Sequence, residues 1–201
     1  MAAEVEVSFE TVAGCDEAGR GPLAGPVVCA AVILPVDSDR ILLRDSKTLS
    51  PLQRDRSESW VRENCLWALE VVGPERIDKV NILQASLEGM ATAIERLPVV
   101  PRLALIDGNK VPISTVCECR AVVKGDALHA CVSAASILAK CERDRIMQHW
   151  HESYPHYGFN RHFGYPTPEH LQALREFGPC PIHRMSFAHV KSQDDCQATL
   201  F

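Results

Sequence analysis

Apolar residues in this chain follow two rhythms: short unbroken runs, and longer stripes spaced three to four residues apart. Residues 27–34 (VVCAAVIL) form an unbroken run closed by Pro35, the pattern of a strand buried on both faces. Residues 12–15 form a shorter run that delivers Asp16, residues 103–106 one that ends at Asp107, and residues 121–123 one that leads into Lys124-Gly125-Asp126. The spacing of Leu83, Leu87, Met90, Ala91 and Ile94 predicts a helix over 82–97. Ala134, Ile137, Leu138 and Cys141 predict another over about 132–150, whose other side carries Ser133, Ser136 and Lys140. Ser50 followed by Pro51 supplies an N-cap and a proline at the first helical position, opening an irregular or broken helix toward residue 69. Residues 67–72 also read as strand, and a last helix is expected over 168–177. Strands alternating with helices place the chain in the α/β class, as one domain of 201 residues. Its core spans about 10–150, a helical and loop region about 151–190, and a polar tail, expected to be mobile, 191–201.

Composition changes this picture little. The apolar share of 46% and charged share of 23% are those of an ordinary globular protein, and a net charge of −5 announces no general field for nucleic acid. No apolar stretch approaches the ~18 residues of a membrane span, and the first ten residues carry three glutamates and no secretory-type apolar run. The nine cysteines are odd in number and scattered among core-like residues, which suits free thiols in a reducing cytoplasm. Cys117-x-Cys119 and Cys180-x-x-His183 lack partner pairs at finger-like spacing, so no structural zinc site is expected.

The chemistry lies where the runs end. Asp16-Glu17, Asp107 and Asp126 each follow an apolar run, and strand ends on one side of a sheet converge. Taken singly, each acid reads as an ordinary turn residue. Gathered in one pocket, like charges repel and raise one another's pKa unless a cation offsets them. Hard divalent cations such as Mg²⁺ take oxygen ligands and share their shell with water and phosphate. Two such ions ~3.5–4 Å apart suit in-line phosphodiester hydrolysis. Directly after the first pair comes Ala18-Gly19-Arg20-Gly21, where glycines permit close backbone approach and leave N–H donors unhindered.

Eight blocks in order carry a resemblance: Gly14-x-Asp16-Glu17-Ala18-Gly19-Arg20-Gly21-Pro22-Leu23-Ala24-Gly25-Pro26, Asp45-Ser46-Lys47-x-Leu49, Asn81-Ile82-Leu83, Ile106-Asp107-Gly108-Asn109, Val123-Lys124-Gly125-Asp126, Ser133-Ala134-Ala135-Ser136-Ile137-Leu138-Ala139-Lys140, His162-x-Gly164-Tyr165-Pro166-Thr167 and His183-Arg184-x-Ser186-Phe187. Together the chain closely resembles the bacterial ribonuclease HII family over residues 12–190. The resemblance implies a ribonuclease H-like mixed sheet flanked by helices, with a small helical C-terminal extension. It implies an endoribonuclease that cuts the RNA strand of RNA/DNA hybrids and incises 5′ of single ribonucleotides in duplex DNA, leaving 3′-hydroxyl and 5′-phosphate ends. Asp16, Glu17, Asp107 and Asp126 then match the metal-binding catalytic carboxylates, with Mg²⁺ or Mn²⁺ as cofactor. Gly19, Arg20 and Gly21 match a loop that senses the 2′-hydroxyl through backbone groups.

Tyr165 matches a tyrosine that packs on the neighbouring sugar; the competing reading is a ring packed between tail and core. Lys47, Lys124 and Lys140 are candidate phosphate contacts from their places in or beside these blocks. Arg184 is read either as a nucleic-acid contact or as the partner of an acid, and stays unassigned. Cys15 and Cys141 stand where a small apolar residue such as valine is expected. Residues 127–131 depart from the pattern and leave the presentation of Asp126 open.

Two other readings share part of this pattern. A different nuclease or a transposase-like phosphotransferase on the same sheet would have the acids but not the Gly-Arg-Gly loop or Gly-Tyr-Pro-Thr. A non-catalytic nucleic-acid-binding relative would be expected to lack one of the acids, and none is missing. The last residues suggest a partner. Gln197 followed three residues on by Leu200-Phe201 resembles the short peptide that docks on a sliding clamp, with the apolar pair as anchor. The chain is otherwise expected to act as a monomer, in the cytoplasm, with no membrane attachment.

Overall fold

The computed structural model describes residues 9–36, 50–113 and 116–190. Strand β1 (Phe9–Ala18) lies at the middle of a five-stranded sheet with β2 (Val27–Pro35), β3 (Leu66–Val72), β4 (Leu103–Asp107) and β5 (Glu118–Val122), in the order β3-β2-β1-β4-β5. β1 runs antiparallel to β2 and β2 antiparallel to β3, whereas β4 pairs parallel with β1 on one side and β5 on the other. Parallel pairing requires a crossover. From β1 to β4 the chain makes it by way of β2, β3 and helices α2 (Pro74–Val80) and α3 (Ile82–Glu95).

Both faces of the sheet are covered, which is why β2 is apolar without alternation and buried at every position. On one face Ala85, Met90, Ala93 and Ile94 of α3 pack with Ala13, Cys15, Cys29 and Ile106. On the other, Ala134, Ile137 and Leu138 of α5 (Ala130–Ser153) pack with Val28, Ala30, Val32 and Leu105. Residue 14 has to be glycine for this second layer to form. A Cβ there would lie 2.1 Å from the carbonyl carbon of Cys131, so α5 begins in backbone contact with β1, beside Asp16.

Helix α1 (Pro51–Asn64) opens as expected: Ser50 caps it, and Gln53 returns the bond to the Ser50 N–H. It does not run on toward residue 69. The chain turns at Cys65, and Leu66–Val72 pairs with β2 throughout as an edge strand. β5 begins three residues before the expected run and is mostly exposed. Its place comes from backbone pairing with β4 rather than from apolar side chains. Asp126 lies on a single helical turn, α4 (Gly125–Leu128), before α5.

Beyond α5 a 3₁₀ turn (Pro155–Tyr157), α6 (Phe159–His162) and α7 (Pro168–Phe177) fold back on the chain. Tyr157, Phe159, Leu174 and Ile182 share an apolar cluster with Leu23 and Ala24 from the loop after β1, and with Met147 of α5. That cluster brings the tail of the chain to the strand ends. Every cysteine among the described residues is a free thiol. No helix of the described residues is long and apolar enough to cross a membrane. Lys47, Gln197, Leu200 and Phe201 lie outside the described residues.

Candidate active site at the strand ends

Because β1, β4 and β5 are parallel, their C-terminal ends meet at one edge of the sheet. Cys15 pairs with Ile106, so Asp16 and Asp107 follow side by side on adjacent strands. Asp107 accepts a 2.7 Å hydrogen bond from the Gly125 N–H, tying the start of α4 to the end of β4. Asp126 follows at once, buried, with one oxygen on the Ala127 N–H. Asp126 thus sits one residue after the Gly125 that Asp107 anchors, and it does not line the cavity beside Glu17. Asp16, 6% exposed, faces α5 and takes a hydrogen bond from Ser136.

For Asp16 and Glu17 the electrostatics are those of neighbouring acids drawn out of water. Burial raises the Asp16 pKa well above the usual carboxylate range; Glu17 and then Asp107 push it further, while Ser136 opposes. Burial also raises Glu17, with Arg20 at 3.3 Å opposing it and Asp107 adding to it. Such a set suits a divalent cation, which would stabilise the ionised forms that burial disfavours. Among the described residues, no three His, Cys, Asp or Glu side chains form a ready-made cage for a metal ion. A Mg²⁺-like ion does not need one: it takes one or two carboxylates and completes its shell with water and substrate oxygens. The donor chemistry therefore fits a cation shared with a phosphodiester.

Next to the acids lies a cavity of about 360 Å³, lined by Glu17, Gly19, Arg20, Gly21, Arg54, Ser136, Lys140, Arg143 and Tyr165. Tyr165 is 45% exposed, and its Cε1 lies 3.4 Å from where a Gly21 Cβ would be. The ring is thus not packed between tail and core; it forms an open wall facing the Gly-Arg-Gly loop. Lys140 lies one helical turn from Ser136, held by Asp144 at 2.6 Å and set over the Phe163 ring at 4.8 Å. Lys124 stands apart from this cavity, exposed, in a left-handed conformation at the start of α4.

Three cationic groups here were not assigned from sequence. Arg54 lines the cavity from α1. Arg143 and Arg184 are fully buried and bind carbonyls rather than carboxylates or solvent. Arg143 donates to the Ala24, Pro26 and Phe163 carbonyls. Arg184 donates to those of Gly19, Arg20, Gly25 and Pro26. Arg184 is therefore neither an exposed nucleic-acid contact nor the partner of an acid. Burial pulls the Arg143 pKa down to about 10 and that of Arg184 to about 9. Gly19, at φ +104°, has no room for a side chain, since a Cβ would meet Arg143 Nε at 2.2 Å. The one available signal was spacing: Ser136, Lys140, Arg143 and Met147 fall on one stripe of α5.

Residues 13–190 match the ribonuclease HII family. A ribonuclease HII of Idiomarina loihiensis is 51% identical over 181 residues, which cover 90% of this chain and 96% of that protein. Among solved structures, the ribonuclease H2 of Pyrococcus horikoshii superposes with a TM-score of 0.78 at 28% identity, covering 92% of this chain and 97% of that one. The ribonuclease HII in a complex with PCNA from Archaeoglobus fulgidus gives 0.74 at 28% identity, covering 88% and 94%.

Proposed function

The chain belongs to the ribonuclease HII family, and from that membership and the strand-end acids we infer how its residues divide the work of cutting RNA. It is an endoribonuclease that hydrolyses the RNA strand of RNA/DNA hybrids, and incision 5′ of single ribonucleotides in duplex DNA is consistent with its family. Asp16, Glu17, Asp107 and Asp126 are the cation-binding carboxylates. The observation that carries this is the parallel pairing of β1 with β4, which sets Asp16 and Asp107 side by side next to an open cavity. These acids would hold divalent cations, Mg²⁺ or Mn²⁺, whose chemistry there would be to lower the pKa of a water and offset phosphate charge.

The chain's own groups do the rest. Glu17 and Asp107 offer oxygens toward the scissile phosphate. Arg20, half exposed beside Glu17, offers a cation to the same backbone. Lys140, Lys124 and Lys47 serve as outer phosphate contacts, which position the duplex without reading its sequence. The Gly19 and Arg20 carbonyls point to Arg184, and in a trans peptide the N–H points the opposite way. The Arg20 and Gly21 N–H groups therefore face away from Arg184, which lies behind the cavity wall. They are donors for a 2′-hydroxyl, the group that distinguishes RNA from DNA. Tyr165 presents a flat face that accepts the neighbouring sugar only where that hydroxyl is missing.

On a duplex carrying one ribonucleotide, cleavage is expected 5′ of it, leaving 3′-hydroxyl and 5′-phosphate ends. Excess EDTA should abolish it and Mg²⁺ or Mn²⁺ restore it, as read on a denaturing gel. Full activity in EDTA would refute the assignment of the acids.

Two further readings rest on narrower support. Leu23 and Ala24 share an apolar cluster with Tyr157, Phe159 and Leu174, which favours the core and residues 151–190 acting as one unit. Free thiols throughout the described residues favour a reducing compartment, the cytoplasm. For partners, Gln197, Leu200 and Phe201 form a clamp-docking peptide, a reading favoured by the sliding-clamp complex of the Archaeoglobus relative. A calorimetric titration of the bacterial clamp should show binding by the full chain and none by a chain ending at Cys196, with nuclease activity intact. Equal heats from both would remove the peptide from consideration.

A further inference from the structure

Residues 180–184 run behind both walls of the cavity. On one side the Arg184 N–H donates to the Leu23 carbonyl and the Gly25 N–H to that of Ile182, while His183 bridges to Ala24. The Arg184 guanidinium then spans the Gly19, Arg20, Gly25 and Pro26 carbonyls, with the start of the Gly-Arg-Gly loop and the start of β2 in one fork. On the other side, hydrogen bonds lead from the same segment to Tyr165.

Proton positions along that second route follow from its donors. The Cys180 N–H donates to His183 Nδ1 at 2.9 Å, with the thiol 3.2 Å from the same atom; the Cys180 carbonyl, at 3.3 Å, is the longer contact, so Nδ1 is assigned as the unprotonated nitrogen. The His183 proton is then on Nε2, 3.0 Å from His170 Nε2, which must accept. The His170 proton is left on Nδ1 and donates to the Tyr165 carbonyl at 2.9 Å. One order of tautomers satisfies every atom. Burial pulls both imidazole pKa values down to about 4, so the pair stays neutral in the working range and this order persists.

We propose that His170, His183 and Arg184 are positioning residues for sugar discrimination, fixing the Tyr165 wall and the Gly-Arg-Gly wall at the separation that tells a ribose from a deoxyribose. The proposal rests on the reading of those two walls as the sugar-sensing pocket. Neither histidine lines the cavity, and Arg184 reaches it only through backbone. All three act through other groups. A loop and an aromatic ring from distant parts of the chain, free to shift by a few tenths of an ångström, would lose discrimination before they lost cleavage.

The experiment compares kcat/KM on two substrates of one sequence: duplex DNA with a single ribonucleotide, and a continuous RNA/DNA hybrid. The ratio of the two reports the pocket. His170→Gln keeps a polar atom near the Nε2 position and removes the Nδ1 donor to Tyr165; His170→Asn keeps a donor near Nδ1. The ratio should fall about five- to tenfold in His170→Gln, the scale of coupling between contacting groups, and recover most of the way in His170→Asn. Arg184→Lys, a point charge in place of a fork, should also lower it. In the Tyr165→Ala background, His170→Gln should lower it no further, because the wall it positions is gone.

A folded His170→Gln with the wild-type ratio would overturn the proposal, as would an additive loss in the double variant, which marks a merely structural role. If His170→Gln fails to fold, Arg184→Lys decides: losses confined to the ratio there support the proposal, and a wild-type ratio there refutes it. Tyr165→Ala alone separates the two levels. A wild-type ratio in that variant removes the sugar-sensing reading itself, and the proposal with it. A lost ratio there beside unchanged positioning variants removes the proposal only.

Discussion

Replacing Asp107 with asparagine is expected to lower cleavage of a ribonucleotide-containing duplex about a thousandfold or more, because several kcal/mol of charge stabilisation depend on the cations it helps to hold. The same change should leave the fold standing. Asparagine keeps the Oδ1 acceptor, so the 2.7 Å bond from the Gly125 N–H that joins β4 to α4 is retained. It removes one of the charges that push the Asp16 and Glu17 pKa values up, so in EDTA the thermal midpoint holds or rises. The second readout is independent of turnover. A cation that binds only the folded state stabilises it by mass action, and the wild-type midpoint should climb on addition of Mg²⁺ or Mn²⁺. In Asp107→Asn that climb should shrink or vanish. Cleavage within tenfold of wild type, or an unchanged metal response, would take Asp107 out of the cation site.

The acids were legible from sequence because of how strands end. An apolar run that stops at a carboxylate shows where the backbone leaves the core, and residues 12–16 and 103–107 both have that form. β2 was equally plain, since a strand covered on both faces needs no alternation. What failed to show was structure whose cause is tertiary. Helix α2 buries only Ile77, too little for a stripe. β3, an edge strand with half-buried positions, followed α1 so closely that helix and strand blurred at Cys65. Arg143 and Arg184 were hidden for a different reason. Charged side chains are almost always placed against water or an opposite charge. These two bind carbonyl oxygens, which every residue carries and no sequence pattern marks. The walls of the cavity could be named from motifs; what holds them at their separation was visible only in the folded chain.

Truncating Tyr165 to alanine should lower kcat/KM on a single ribonucleotide about ten- to hundredfold, the scale seen when an aromatic that stacks on a nucleotide is removed. Cleavage of a continuous hybrid should fall much less, because inside an RNA run no deoxyribose sits where the ring would favour one. Stability should change by about 1 kcal/mol or less, as for a partly exposed side chain outside the core. The backbone bonds at residue 165, from Thr167 and His170 to its carbonyl and from its own N–H to the His162 carbonyl, do not involve the ring and survive the change. Tyr165→Phe is the matched control. It keeps the ring beside Gly21 and loses only the hydroxyl, so its substrate ratio should stay near wild type. The two measurements divide the alternatives. A large drop in thermal midpoint on Tyr165→Ala would show that the ring packs the structure. A folded variant that cuts single ribonucleotides at the wild-type rate would show that the sugar is read elsewhere. Loss of the ratio in Tyr165→Phe would move the selectivity from the face of the ring to its hydroxyl.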